Sequence, residues 1–181
     1  MEVLEATFPR HNLTTRFLTT DTTKQLHQTP LSLGGVTHVL IASDAPWVHD
    51  DVVSALGRDT THRSLINGRA VGAAVLEQTP DLVVLDSQIS SMGGIAVCHD
   101  LRLEESGGRL PHVPVLILLD RQADVFLVKQ SKADGWLVKP LDPIRLRKAM
   151  AALVAGGSYE DAEAFGDATN NYKPTPDASA R

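Results

Sequence analysis

Two stretches of unbroken hydrocarbon, Leu82–Leu85 in "DLVVLD" and Val115–Leu119 in "PVLILLD", constrain this chain more than any other feature. A strand with one wet face alternates apolar and polar residues, whereas a strand covered on both faces reads as a continuous apolar run. Such strands belong to parallel sheets packed between helices. "VTHVLIA" (36–42) and the short "WLV" (136–138) join the set, and "THRSLI" (61–66) is a weaker fifth strand.

Helical patterns fall between the strands. Val48, Val52, Val53 and Leu56 make an apolar stripe closed by Gly57, and Val71, Ala74 and Val75 make a second. Ile95, Cys98 and Leu101 form a third, and the weakest helix lies near 121–130. The last stripe is Leu146, Ala149, Met150 and Leu153, with Asp142 as N-cap and Pro143 at the first helical position. Strands alternating with helices require right-handed crossovers, hence an α/β fold with a doubly wound parallel sheet of five strands. In such folds chemistry collects at the carboxyl ends of the strands, where strand order reverses.

That rule selects Ser43 and Asp44 after the first strand, Asp86 after the third, Leu119 and Asp120 at the fourth, and Lys139 at the fifth. Asp86 follows its hydrocarbon run with no polar buffer, and a carboxylate drawn toward the interior is costly unless compensated. Two neighbouring carboxylates repel, and a divalent cation with a lysine ammonium would relieve them. Both cations suit a phosphoryl group arriving between them, with Asp86 as nucleophile and Lys139 as a point charge on the phosphoryl oxygens. Asp44 also fits a helix cap at the start of the helix near Pro46.

At these positions the chain resembles the receiver domains of bacterial two-component response regulators, over roughly Thr37 to Val154. "VLIASDAP" resembles the acidic first turn, "PDLVVLDSQISSMGG" the phosphoacceptor strand and loop, "PVLILLD" the switch strand, and "DGWLVKPLDPIRL" the lysine–proline turn. The resemblance implies a flavodoxin-like sheet of order 2-1-3-4-5. It implies that Asp86 is the phosphoacceptor, that Lys139 pairs with the phosphate, and that Asp44, Asp86 and the Gln88 carbonyl hold a weakly bound magnesium ion. It also implies a cis peptide bond before Pro140.

Three departures from the family pattern bear on function. The first-turn acidic pair is Ser43–Asp44, so one carboxylate is missing and magnesium binding should weaken. The switch position, usually threonine or serine, is Leu119, which cannot donate a hydrogen bond. Its neighbour is Asp120, read either as a substitute metal contact or as a charge that repels a phosphoryl group. The loop "SSMGG" lacks the usual proline and acidic residue and is expected to be more mobile. Trp136 is read as core packing ahead of a partner anchor, and Cys98 as a buried small hydrophobe.

The organisation expected is a flexible N-terminal extension (1–35), a receiver domain (36–155) and a flexible acidic C-terminal tail (156–181). The net charge of -5 argues against nucleic-acid binding through a basic face, so no direct nucleic-acid contact is expected. One cysteine excludes an intramolecular disulfide and a cysteine-based zinc site. No apolar run is long enough to span a membrane, and the N-terminus lacks a signal-peptide pattern, so the expected location is cytoplasmic. An enzyme on a similar fold fits poorly. "ASDAPW" has no glycine for a phosphate-binding turn, and position 88 is glutamine where a dehalogenase-type phosphatase needs a second aspartate. Two functions remain. One is a stand-alone receiver that takes a phosphoryl group from a histidine kinase or phosphotransfer protein and signals to an unidentified output protein. The other is a pseudo-receiver whose partner reads it without phosphorylation.

Overall fold

The computed structural model describes residues 37–162 of the 181-residue chain. The N-terminal extension 1–35 and the tail beyond 162 lie outside the described residues. Chain order is β1 (Thr37–Ala42), α1 (Pro46–Ala55), β2 (Thr60–Leu65), α2 (Val71–Glu77), β3 (Leu82–Asp86), α3 (Gly94–Ser106), β4 (Val115–Leu119), α4 (Val125–Gln130), β5 (Gly135–Val138), α5 (Pro143–Val154) and β6 (Tyr159–Glu160). Short 3-10 turns lead into α2 and α4. All strand pairs are parallel, in the order β2-β1-β3-β4-β5-β6.

The expected order 2-1-3-4-5 is present, with a sixth strand that corrects the count of five. Tyr159 and Glu160 pair with Gly135 and Trp136 along the outer edge of β5. Behind them Asp161 is fully buried, with Oδ2 accepting from the Val138 N–H at 3.0 Å and both carboxylate oxygens, Oδ1 and Oδ2, accepting from Arg145 Nη1 at 3.0 and 2.9 Å. A two-residue strand carries no periodic signal, and an aspartate in an acidic run reads as solvated until its arginine is known. The first residues of the segment read as a tail are therefore part of the packed sheet.

The hydrocarbon runs behave as strands covered on both faces. In β3, Val83 and Leu85 face one apolar layer with residues of α2, α3 and α4, while Leu82 and Val84 face the layer of α1 and α5. β1 and β4 divide in the same alternation, as period-two geometry requires. Each such side chain contributes about 1.5–3 kcal/mol by leaving water.

The helices follow their stripes with two departures, in α3 and α1. α3 buries Val97 beside Cys98 and Leu101, while Ile95 is only partly buried. In α1 the buried residues are Val48, Val52 and Ala55, while Val53 is exposed. Pro46 starts that helix, since its fixed φ is already helical and its missing N–H would have had no intrahelical acceptor. α5 buries Leu146, Ala149, Met150 and Leu153, and the Asp142 carboxylate accepts from the Ile144 and Arg145 N–H groups at 3.0 and 2.9 Å. None of the described helices is long and apolar enough to cross a membrane.

Candidate functional site

The strand order reverses between β1 and β3, and the carboxyl ends of β1, β3, β4 and β5 meet there. Asp86 is the last residue of β3 and is only 2% exposed. Each of its oxygens has a defined partner. Oδ1 accepts from Lys139 Nζ at 2.7 Å and from the Gln88 N–H at 3.1 Å. Oδ2 accepts from the Ser43 hydroxyl at 2.8 Å. This is the compensation that a buried carboxylate demands.

Ser43 is fully buried, and its Oγ also accepts from the Ala45 N–H at 3.1 Å, so the hydroxyl both donates and accepts. Where a second carboxylate would have faced Asp86, a neutral donor satisfies it instead. The Ser43 carbonyl is in turn bonded to His49 Nε2 at 2.7 Å, which ties the first turn to α1.

Lys139 reaches the site from the end of β5. Its backbone N–H donates to the Leu119 carbonyl at 2.7 Å, which fixes the level of the side chain, and the Lys139–Pro140 peptide bond is cis. Nζ contacts a second carboxylate, Asp120 Oδ1, at 3.1 Å and lies 5.2 Å from the centre of the Trp47 ring. Asp120 Oδ2 accepts from Ser87 Oγ at 2.9 Å. Asp120 is thus a partner of the lysine, an arrangement that charge counting along the sequence did not anticipate.

Asp44 sits exposed on the rim, where the Ser90 hydroxyl donates to its Oδ2. It makes no cap bond to α1, whose N-cap is Ala45 with no side-chain hydrogen bond. The loop expected to be mobile is tied down at several points. Ser90 holds Asp44, the Gly68 N–H donates to the Ser90 carbonyl at 3.1 Å, and Ile89 is buried. Gly94 at the start of α3 is obligatory here. A Cβ at that position would lie 2.4 Å from the Asp86 carbonyl oxygen.

Leu119, at the end of β4, is fully buried in the same apolar layer as Trp136, which is 2% exposed. Trp136 is therefore a core residue, and neither side chain supplies a donor to Asp86. Cys98 is buried too, with its thiol 3.5 Å from the Ser131 carbonyl. Among the described residues, no group of three or more His, Cys, Asp or Glu side chains is gathered for a metal ion. The carboxylates at these strand ends are Asp86, Asp44 on the rim and Asp120 beside Lys139, with the Gln88 backbone next to Asp86. That hard-oxygen set suits magnesium, which keeps several waters and takes one or two carboxylates.

Residues 39–151 match the family model described as the response regulator receiver domain. Over 128 residues the chain is 30% identical to the DNA-binding response regulator MtrA of Mycolicibacterium smegmatis, covering 69% of this chain and 54% of that relative. The chain thus spans about half the length of that relative. An uncharacterized response regulatory protein of Mycobacterium tuberculosis is 28% identical over 128 residues, 67% of this chain and 93% of its own. The chemotaxis response regulator CheY4 of Vibrio cholerae has the same fold, with a TM-score of 0.57 at 22% identity over 65% of this chain and 98% of that one. The MtrA likeness overturns the expectation of no direct nucleic-acid contact, since related proteins carry a DNA-binding name. That expectation rested on net charge, which averages over a whole chain, whereas DNA contacts depend on local patches of charge.

Proposed function

This chain belongs to the response regulator receiver family, and from that we propose that it is a signalling receiver in which Asp86 accepts a phosphoryl group from a histidine kinase or phosphotransfer protein. Members of this family are signalling modules of two-component systems. The observation that carries the proposal is the buried Asp86 carboxylate held 2.7 Å from Lys139 Nζ at the sheet's reversal point.

The chemistry follows from those contacts. A carboxylate oxygen of Asp86 attacks phosphorus, the phosphorus–nitrogen bond of the donor histidine breaks, and the imidazole leaves with the bonding pair. Lys139 then shifts its ammonium onto a phosphoryl oxygen, and the Gln88 N–H continues to orient the carboxyl group. Ser43 keeps a hydrogen bond on the oxygen it already serves. Receiver domains generally bind magnesium at the phosphorylation site. Here Asp44, Asp86 and the Gln88 carbonyl would hold it, and it would neutralise charge developing on the phosphoryl oxygens.

The DNA-binding name of the MtrA relative brings a nucleic-acid-bound regulator into the proposed output. A second reading, signalling without phosphorylation, is favoured by one specific observation. Leu119 is sealed in the core where a responsive hydroxyl would be needed, so a phosphoryl group gains no new contact from β4.

The test is incubation with magnesium and acetyl phosphate, followed by intact mass. One added phosphoryl group is expected, labile to hydroxylamine and absent in Asp86→Asn. A label that survives the substitution would move the site elsewhere, and no label at all would leave the second reading.

A further inference from the structure

Lys139 Nζ is nearly enclosed, with its side chain 8% exposed, and two carboxylates share it. An ammonium has three donors. Asp86 and Asp120 each take one, and the Trp47 ring covers a further side at 5.2 Å. Two of the three donors are thus engaged by carboxylates, and a phosphoryl oxygen must share the ammonium with them.

Asp120 is also held from its other end. Ser87 Oγ donates to Oδ2 at 2.9 Å while Lys139 engages Oδ1. The strands carrying these groups are locked in register, because the Leu119 carbonyl accepts from the Lys139 N–H at 2.7 Å. Asp120 therefore meets the lysine through a built arrangement with both oxygens in use. Its side chain is 37% exposed, so water screens its charge in part but leaves it open to incoming anions.

We propose that Asp120 is a positioning residue that holds Lys139 in a self-neutralised pair and so restrains phosphorylation of Asp86. This rests on Asp86 being the phosphoacceptor. Asp86 and Asp120 set two carboxylates against one ammonium. A phosphoryl dianion reaching the lysine competes with Asp120 for the ammonium while approaching its negative charge. The restraint is electrostatic, so it weakens as salt rises.

The experiment measures labelling rates by intact mass with acetyl phosphate and magnesium, for the wild-type chain, Asp120→Asn and Ser87→Ala. In the reaction read, an Asp86 oxygen–phosphorus bond forms as the phosphorus–oxygen bond to the acetyl group breaks. Acetate leaves with the bonding pair, and no proton transfer is required. Asp120→Asn removes the charge but keeps an oxygen for Ser87. It should be labelled about tenfold faster than wild type at low salt, as expected for removing one partly screened charge, with the ratio falling toward one at high salt. Labelling of Asp120→Asn alone would be the extreme form of the same result. Equal rates in wild type and Asp120→Asn, both labelled, would overturn the role of Asp120 and leave Asp86 as phosphoacceptor. If neither is labelled, the phosphoacceptor reading fails and takes this one with it. Ser87→Ala frees Asp120 without changing charge and should alter the rate less than threefold. A rise matching that of Asp120→Asn would assign the effect to loop release and overturn the electrostatic restraint.

Discussion

The Ser43 hydroxyl donates to Asp86 Oδ2 across 2.8 Å, with both side chains sealed from solvent. A neutral donor therefore supports the buried carboxylate from one side while Lys139 supports it from the other. The stability of the site and its demand for a cation both follow from this division.

Replacing that donor with a second carboxylate reverses the balance. Ser43→Asp sets two like charges against each other in a buried place, at a cost on the order of 2 kcal/mol without a divalent ion. Magnesium should restore the loss by binding the folded state, and its affinity should exceed that of the wild-type chain about tenfold. Urea denaturation with and without magnesium reads both effects. Identical midpoints and affinities would mean that position 43 does not sense the ion.

Lys139→Met leaves Asp86 charged and buried without its ammonium. Loss of one partner from a buried ion pair costs about 3–5 kcal/mol, and the lower end is expected because Ser43 and the Gln88 N–H remain. The double variant Asp86→Asn/Lys139→Met should recover at least half of the loss. A double variant no more stable than Lys139→Met would show that the lysine acts through packing, not charge.

Leu119 governs how far any phosphoryl signal travels. With beryllofluoride on Asp86, amide chemical shifts along α4 and β5 should change little. Leu119→Thr should enlarge them, because a charge-assisted hydrogen bond is worth roughly 1.5–3 kcal/mol. The hydroxyl is buried without such a partner beforehand, so the unmodified variant should be less stable by about 1–3 kcal/mol. Large shifts in the wild-type chain would assign the response to another group.

Asp161→Ala tests the edge strand. The change removes an acceptor from the Val138 N–H and from Arg145, and should cost about 2 kcal/mol. Amide hydrogen exchange should speed up at Val138 and Tyr159 before it does in β1 or β3. Uniform exchange changes across the sheet would show that β6 does not open as a local unit.

Cys98 gives a probe remote from the charges of the site. Burial pushes its thiol pKa up, only partly opposed by the Ser131 contact. A raised pKa leaves less thiolate at a given pH, so reaction with an aromatic disulfide at pH 8 should be far slower than in the denatured chain. The rate should still climb with pH beyond the ordinary thiol range. Fast labelling in the native state would mean that α3 opens readily.

Most of the architecture was legible because strands covered on both faces leave a signal in consecutive residues. "DLVVLD" and "PVLILL" became β3 and β4, and the four-residue stripe of α5 is buried as read. Asp86, Lys139 and Asp44 could be singled out because strand ends at a reversal point converge whatever their side chains. β6 was not legible, since two residues carry no period and the burial of Asp161 depends on Arg145, sixteen positions earlier.

The chain by itself determined which residues arrive at the site: an aspartate at the end of β3, a lysine after β5, a serine in place of an acid, a leucine in place of a hydroxyl. Only the tertiary structure decided how these share their hydrogen bonds. Asp120 read equally well as a metal contact or a repelling charge, and it proves to be a partner of Lys139. The reason is physical. Apolar burial is additive along a strand and shows in local pattern, whereas a hydrogen bond or ion pair depends on ångström distances between residues brought together from different strands.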